Sequence, residues 1–285
     1  MKPPKFKYIA PSTLDEALHY LGSEPDAKVL SGGQSLMPLL AMRLATPSLL
    51  VDLQHVPDLS RIQEEGDRIH IGARATHSAV ERSVLVANRV PILHAAARHI
   101  AHPQIRSRGT FGGSTAHADP SGEWPAVLLS LGAAIHVCGP QGSRTIEADS
   151  FFTGPFLTSM KDTEILTHVS IPTTRSAWAF QEAARKAGDY GLALIAITGI
   201  MQDRALADPR VSVGAAVGSV TRLTAVEELL AGAALAPELA EQAEHVAMNA
   251  VTPISYIHGS TEFRRRLVGN LVRRAVMDLQ NGVAT

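Results

Sequence analysis

Two adjacent glycines stand where a short apolar run ends, in "AKVLSGGQSLMPLL" (27–40), and the residues beyond them have helical character. A second pair stands in "RGTFGGST" (108–115). Glycine has no Cβ and tolerates φ > 0, so a Gly–Gly step at a strand-to-helix junction serves a tight turn or a close approach. Successive N–H groups in such a turn converge into an anion-binding nest, and a following helix adds its positive end. Ser31, Ser35, Thr110 and Ser114 flank the pairs with hydroxyls. Each pair alone reads most simply as a tight turn. Two pairs with matching flanks favour a different reading, in which two loops grip the two phosphates of one pyrophosphate.

Three familiar motifs fail on particular residues. A P-loop needs Lys–Ser or Lys–Thr after its glycine-rich turn, and no glycine here precedes a lysine. No G-x-G-x-x-G stretch exists, so a dinucleotide fingerprint of the Rossmann kind is excluded. Gly33-Gln34-Ser35-Leu36-Met37 lacks the last glycine of a nucleophile elbow.

The 285 residues suffice for two or three units, and a net charge of −1 gives no nucleic-acid footprint. "MKPPKFKYIAPSTLDEAL" has lysines without an apolar core, so no secretory signal is expected. No run reaches the roughly 18 apolar residues of a membrane span. Cys138, the only cysteine, excludes an internal disulfide and any iron–sulfur cluster ligated by this chain alone. It reads as a small core residue on a strand, and a cytoplasmic location fits.

Along the chain, "PSTLDEALHYLG" carries capping-box spacing and predicts a helix, followed by strands at "AKVL" and "SLLVDL". "RIHIGARATH" alternates as a strand does, and "SAVERSVLVANRVPILHAAARHIAH" predicts helix broken near Pro91. A helix and three strands follow the second glycine pair, and Ile171–Ala177 reads as a linker. Beyond it come strands, then three helices, the last with Phe263, Leu267, Leu271 and Leu279 at helical spacing.

Other candidates are weaker. His94, His99 and His102 have gaps of five and three with no intervening glutamate, which favours a solvated helix end over a zinc site. His117, Asp119 and Glu123 follow the second pair, where a carboxylate either accepts from ribose or flavin-ring groups or caps the loop. Arg264, Arg265, Arg266, Arg273 and Arg274 read as the solvated face of an amphipathic helix, with a subunit contact as the sharper alternative.

The loops "SGGQS" and "TFGGS", with "HPQIRSRG" before the second, resemble the flavin-binding medium subunit of molybdenum hydroxylases, of the carbon monoxide dehydrogenase and xanthine dehydrogenase type. "LLVDL", "IGARATH", "ADPSGEWPA", "RKAGDYGLA" and "STEFRRRLVGNLVRRAV" extend the resemblance over essentially the whole chain. It implies an α+β protein with a vanillyl-alcohol-oxidase/PCMH-type FAD-binding fold. Two α/β subdomains (about 1–57 and 58–175) would hold the FAD, and a C-terminal α+β domain (176–285) would cover the ring. Carried over by position, Ser31, Gly32, Gly33, Gln34 and Ser35 form the first pyrophosphate loop. Thr110, Phe111, Gly112, Gly113 and Ser114 form the second. Glu123 stands where relatives have an aspartate touching FAD, Ile100 and Ile105 line the cofactor, and Tyr190 lies against the flavin. Gln34 replaces a frequent histidine and Ser114 a frequent asparagine. Tyr256 and His258 stand where an aspartate and an arginine are common.

The function so implied is an electron relay with no catalytic residue or metal ligand on this chain. A large subunit would carry the molybdenum cofactor and a small one the [2Fe–2S] clusters, assembled as a dimer of heterotrimers. Two rivals share the fold: a self-contained flavin reductase or oxidase, and a non-catalytic nucleotide-binding scaffold.

Overall fold

The computed structural model describes residues 2–282. The helix start is capped at Thr13, with the return bond from Glu16 falling one residue earlier, on Ser12. Glu16 N donates to Thr13 Oγ1 at 3.2 Å, and Ser12 N donates to Glu16 Oε2 at 2.9 Å. Both bonds satisfy N–H groups that open the Leu14–Ser23 helix. The strands Lys7–Ile9, Lys28–Leu30 and Leu49–Asp52 pair in parallel, with the fully buried Leu49–Asp52 in the middle. The first glycine pair leaves the carboxyl end of Lys28–Leu30, and the six-residue helix Leu36–Ala41 follows. Ligand loops in parallel sheets gather at that end of the strands.

The next unit is an antiparallel five-stranded sheet, in the order Ile62–Glu65, Arg68–Gly72, Ile165–Pro172, Ala134–Gly139, Gly142–Glu147. The helical stretch expected to break near Pro91 breaks twice. It runs as His77–Arg82, Val84–Arg89 and Pro91–Ala97, because the Ser83 side chain accepts from Val86 N and starts a new helix. Helices Phe111–His117 and Glu123–Leu131 complete the layer. Trp124, Phe111, Ile69, Ile71, Leu128 and Phe151 fill the core between sheet and helices. Cys138 lies on an inner strand of this sheet but is only half-buried.

The third unit is the antiparallel sheet Ala177–Ala184, Gly191–Gln202, Ala205–Gly214, Thr221–Arg222. Strand alternation divides its side chains. Ala179, Ile195, Ile197, Val211 and Val213 pack with the helices Pro237–Ala250 and Thr261–Asn281. Phe180, Leu194 and Ala196 face the other way and join the core around Trp124. Polar bonds hold this seam: Ser212 Oγ donates to Ala126 O at 2.6 Å, and Arg210 Nε donates to Leu129 O at 3.2 Å.

The last helix corrects two expectations. Its buried face is built on Val268, Leu271, Val272 and Ala275, and Phe263 lies outside it, 48% exposed. Arg264 shares that buried phase and is not solvated. It is 3% exposed and donates through Nη1 to Ala215 O at 2.8 Å. Arg265 and Arg266 pair with Glu262 on the solvent side, as the charge pattern suggested.

Candidate functional site

The two glycine loops meet. Ser31 Oγ lies 2.9 Å from Thr110 Oγ1, across 79 residues of sequence. A Cβ on Gly32 would collide with the carbonyl of Arg108 and lie 2.8 Å from Gly109 Cα. A Cβ on Gly113 would reach Thr110 Oγ1 at 2.5 Å and Ser31 Cβ at 3.9 Å. Close approach therefore explains glycine at positions 32 and 113.

The loops are not equivalent, and the structure differs here from the symmetrical expectation. In the first, Gly33 alone is left-handed, with φ of 71°. No backbone carbonyl among the described residues accepts from the N–H groups of Gly32, Gly33, Gln34 or Ser35. Ser35 makes no side-chain cap to the helix beyond it, and Gln34 Nε2 folds back onto Gly32 O at 3.2 Å. Gly32, Gly33 and Gln34 are half-buried, and their N–H groups form a run of donors suited to an anionic acceptor.

In the second loop the N–H groups are spoken for. Phe111 N donates to Ala75 O, Gly112 N to Ala73 O and Ser114 N to Thr110 O. Gly113 N donates to Thr110 Oγ1 at 3.2 Å, so Gly112 and Gly113 form the first turn of the Phe111–His117 helix. A Cβ on Gly112 would stand 2.5 Å from that of Ala73, so glycine there serves packing. The second loop contributes hydroxyls and a fixed wall more than a nest.

A buried prop sits under this wall. His77 N donates to Gly109 O, and the His77 ring lies where a Cβ on Gly109 would stand, at 2.8 Å. Trp124 Nε1 donates to His77 Nδ1 at 2.9 Å. An indole N–H only donates, so the imidazole accepts there and is neutral. Burial, and then the nearby Arg106 charge, hold its pKa down at about 4.

Glu123, Ile100 and Tyr190 belong to a second group. Glu123 opens the Glu123–Leu131 helix, and Asp119 and Tyr190 are near it. Burial and then the charge of Glu182 push its carboxyl up to about 8. Tyr190 is 70% exposed, at the tip of the hairpin joining Ala177–Ala184 to Gly191–Gln202. That hairpin rests on the turn after Ile100: a Cβ on Gly188 would stand 2.6 Å from the His102 ring. Ile100 is buried, and its carbonyl accepts from Arg106 Nη1 at 3.0 Å. Ile105 is 36% exposed, and its carbonyl accepts from Gly109 N at 2.7 Å. No hydrogen bond among the described residues joins Glu123 or Tyr190 directly to residues 31–35. Among the described residues no metal-binding group of histidine, cysteine or carboxylate side chains occurs. A cavity of about 560 Å³ between Thr13–Leu14 and His70–His168 contains none of the loop residues.

Two residues escaped the sequence reading. His77 ends the stretch read as a strand, whereas it opens the helix His77–Arg82 and is buried. Glu182 lies in "AFQEAA", where Phe180 points into the core; a carboxylate two residues on points the same way. That phase was the available signal.

A run of N–H groups without backbone acceptors, held against a hydroxyl-bearing wall, is an arrangement suited to a phosphate group. The comparisons with known proteins agree. The FAD binding domain in molybdopterin dehydrogenase matches residues 4–174, and the CO dehydrogenase flavoprotein C-terminal domain matches residues 178–279. The chain is 46% identical over 278 residues to the nicotine 6-hydroxylase medium subunit of Paenarthrobacter nicotinovorans, covering 98% of each chain. It is 33% identical to the carbon monoxide dehydrogenase medium chain of Hydrogenophaga pseudoflava, covering 97% of each. The quinoline 2-oxidoreductase structure from Pseudomonas putida 86 superposes with a TM-score of 0.96, at 36% identity and 100% coverage of both chains. The chain belongs to the FAD-binding medium subunits of the molybdenum hydroxylase family, which are oxidoreductase subunits.

Proposed function

We propose that this chain carries FAD as the electron-transfer subunit of a heteromeric molybdenum hydroxylase, taking electrons from a partner's iron–sulfur clusters and passing them to an external acceptor. The observation that carries the reading is the first loop. Four successive N–H groups, of Gly32, Gly33, Gln34 and Ser35, have no backbone acceptor among the described residues, and Gly32 leaves no room for a side chain, a run that suits a phosphate. Ser31, Gly32, Gly33, Gln34 and Ser35 would hold one phosphate. Thr110, Phe111, Gly112, Gly113 and Ser114 would form the opposing wall, with the Thr110 and Ser114 hydroxyls toward the cofactor. Glu123 and Tyr190 would meet the ring end, and Ile100 and Ile105 would line the approach.

Bound flavin supplies the exchange between one- and two-electron steps, and the chain supplies position and polarity. Ser31–Thr110 fixes the spacing of the two loops. His77 and Trp124 hold the second loop from below. Residues 1–175 would form the cofactor-holding part, divided near residue 57, and residues 176–285 the cover.

The lone cysteine supports clusters on another subunit and a cytoplasmic setting. The medium-chain names of the relatives support a large and a small partner subunit, which we assign the molybdenum cofactor and the [2Fe–2S] clusters in a proposed dimer of heterotrimers. Purification of the complex from its host tests this. Molybdenum, iron and flavin should elute together with two further chains. A lone chain that oxidises a small organic substrate would favour the self-contained reductase or oxidase. A colourless lone chain would favour the scaffold.

A further inference from the structure

Arg264 is a buried cation without an acid. It is 3% exposed, and only one of its guanidinium nitrogens is satisfied, Nη1, which donates to Ala215 O at 2.8 Å. Nε is shut off from solvent and has no hydrogen-bond partner. Glu262, the nearest acid in sequence, is engaged by Arg265 and Arg266. A buried charge with spare donors costs free energy until an acceptor meets it. Burial pulls its pKa below the usual arginine value, yet a guanidinium keeps its proton in a protein.

The guanidinium tip lies at a bend in the chain. Ala215 is left-handed, with φ of 62°, and Ala216 N turns back to Gly214 O at 2.7 Å. Beyond it the N–H groups of Val217, Gly218 and Ser219 have no backbone acceptor among the described residues, although Val217 is 5% exposed. Tyr256 closes the other side, its ring centroid 5.6 Å from Arg264 Cζ. It opens a tight turn in which Tyr256 N donates to Gly259 O at 3.2 Å and Gly259 N to Tyr256 O at 3.1 Å. Ile254 N donates to Ala216 O at 3.0 Å and ties this turn to the bend. Ile254, Tyr256, Ile257 and Phe263 are exposed around the group.

We propose that the Nε–Nη2 edge of Arg264 is a receptor for one carboxylate carried on an apolar body, entering beside Tyr256. An arginine fork presents two parallel N–H groups that match the two oxygens of a carboxylate. One guanidinium balances the single charge of a carboxylate and falls short of a phosphate dianion. The exposed Ile254, Ile257 and Phe263 suit an aliphatic or aromatic body behind the acid. Because Nε is closed off, entry requires the Tyr256 ring to turn aside, and that side chain lies on the surface. The N–H groups of Val217 to Ser219 follow directly from the carbonyl that Arg264 holds and offer further donors. Every group in the site belongs to residues 214–219 or 254–264, so it does not depend on where a cofactor sits. Two sources carry the chemistry: a free organic acid, and an acidic side chain on the surface of another protein chain.

Two readouts test the receptor. The first is the Nε–H resonance of Arg264 in the full-length chain, assigned by its loss in Arg264→Lys. Benzoate is the probe, and benzamide, which keeps the ring without the charge, is the control. Benzoate should move the resonance saturably, and benzamide should leave it in place. Tyr256→Asp sets a carboxylate beside the fork at an exposed position, where folding tolerates it, and should abolish the benzoate response. The second readout separates the sources, in crystals of the protein as purified from its host, soaked in 4-bromobenzoate. Bromine density beside Arg264 assigns the site to a free acid. An aspartate or glutamate of another chain on the fork assigns it to a protein. A resonance unmoved by benzoate, an equal response to benzamide, or a fork left bare in the soaked crystals overturns the proposal.

Discussion

Ser31 Oγ and Thr110 Oγ1 face each other at 2.9 Å and join two glycine loops, the first leaving the strand Lys28–Leu30 and the second lying between the helices Pro103–Arg106 and Phe111–His117. Thr110 Oγ1 also accepts from Gly113 N, so one hydroxyl both caps the second loop and binds it to the first. Thr110→Val removes both bonds while keeping the shape. It should cost about 1–2 kcal/mol of stability, as loss of a cap does, and weaken flavin retention more than Ser31→Ala. A double-mutant cycle by chemical denaturation should give a coupling of about 1 kcal/mol between the two positions. Strict additivity would mean the bond is incidental.

Gly33→Val and Gly113→Val should both lose flavin, for different reasons. At Gly33 the backbone φ of 71° excludes a β-branched residue. At Gly113 the obstacle is Thr110 Oγ1 at 2.5 Å from the new Cβ. Thr110→Ser, which keeps the hydroxyl, should therefore not relieve Gly113→Val, whereas Thr110→Gly should relieve it in part. Flavin content per chain in the purified variants is the measurement.

His77 gives the fold a slope at acid pH. Its folded pKa of about 4 lies below the usual histidine value of about 6.5, so the unfolded chain binds the proton first. Stability from this group is therefore full above about 6.5 and falls as pH drops toward 4, by about 3 kcal/mol in total. Denaturation of the cofactor-free chain across that range should show the slope, and His77→Gln should flatten it.

Glu123 and Glu182 work in the opposite direction. Their folded pKa values of about 8 and about 7 lie above that of a free glutamate, so the folded chain binds the proton more tightly. Stability should fall as pH rises from about 4.5 toward 8, by on the order of 2–3 kcal/mol for Glu182. Glu182→Gln should remove that loss and be the more stable protein at pH 8. The same denaturation series, extended upward, measures it.

Much of this was legible before the structure. The capping box at Ser12–Glu16, the strand alternation and the three C-terminal helices are local signals, and local physics produced those elements. The parallel order with Leu49–Asp52 in the middle is set by long-range pairing and left no local trace. The glycine pairs pointed to the two loops, but not to their difference. Whether an N–H is free depends on Ala73 and Ala75, some 38 residues upstream of the second pair, which claim Gly112 and Phe111. Arg264 misled because its neighbours Arg265 and Arg266 are solvated; only the helical phase shared with Val268 and Leu271 marks it as buried. His77 and Glu182 draw their character from burial against Trp124 and beside His99, which a linear pattern does not record.

The central claim is that this chain itself holds FAD between the two loops. The direct measurement is the absorption spectrum and flavin-to-chain ratio of the purified complex, with the flavin assigned to its subunit by separating the chains under mild conditions. The account predicts one FAD per copy of this chain, released when Gly33 or Gly113 becomes valine. A complex whose flavin stays in full measure in both variants, or resides on another subunit, would contradict it.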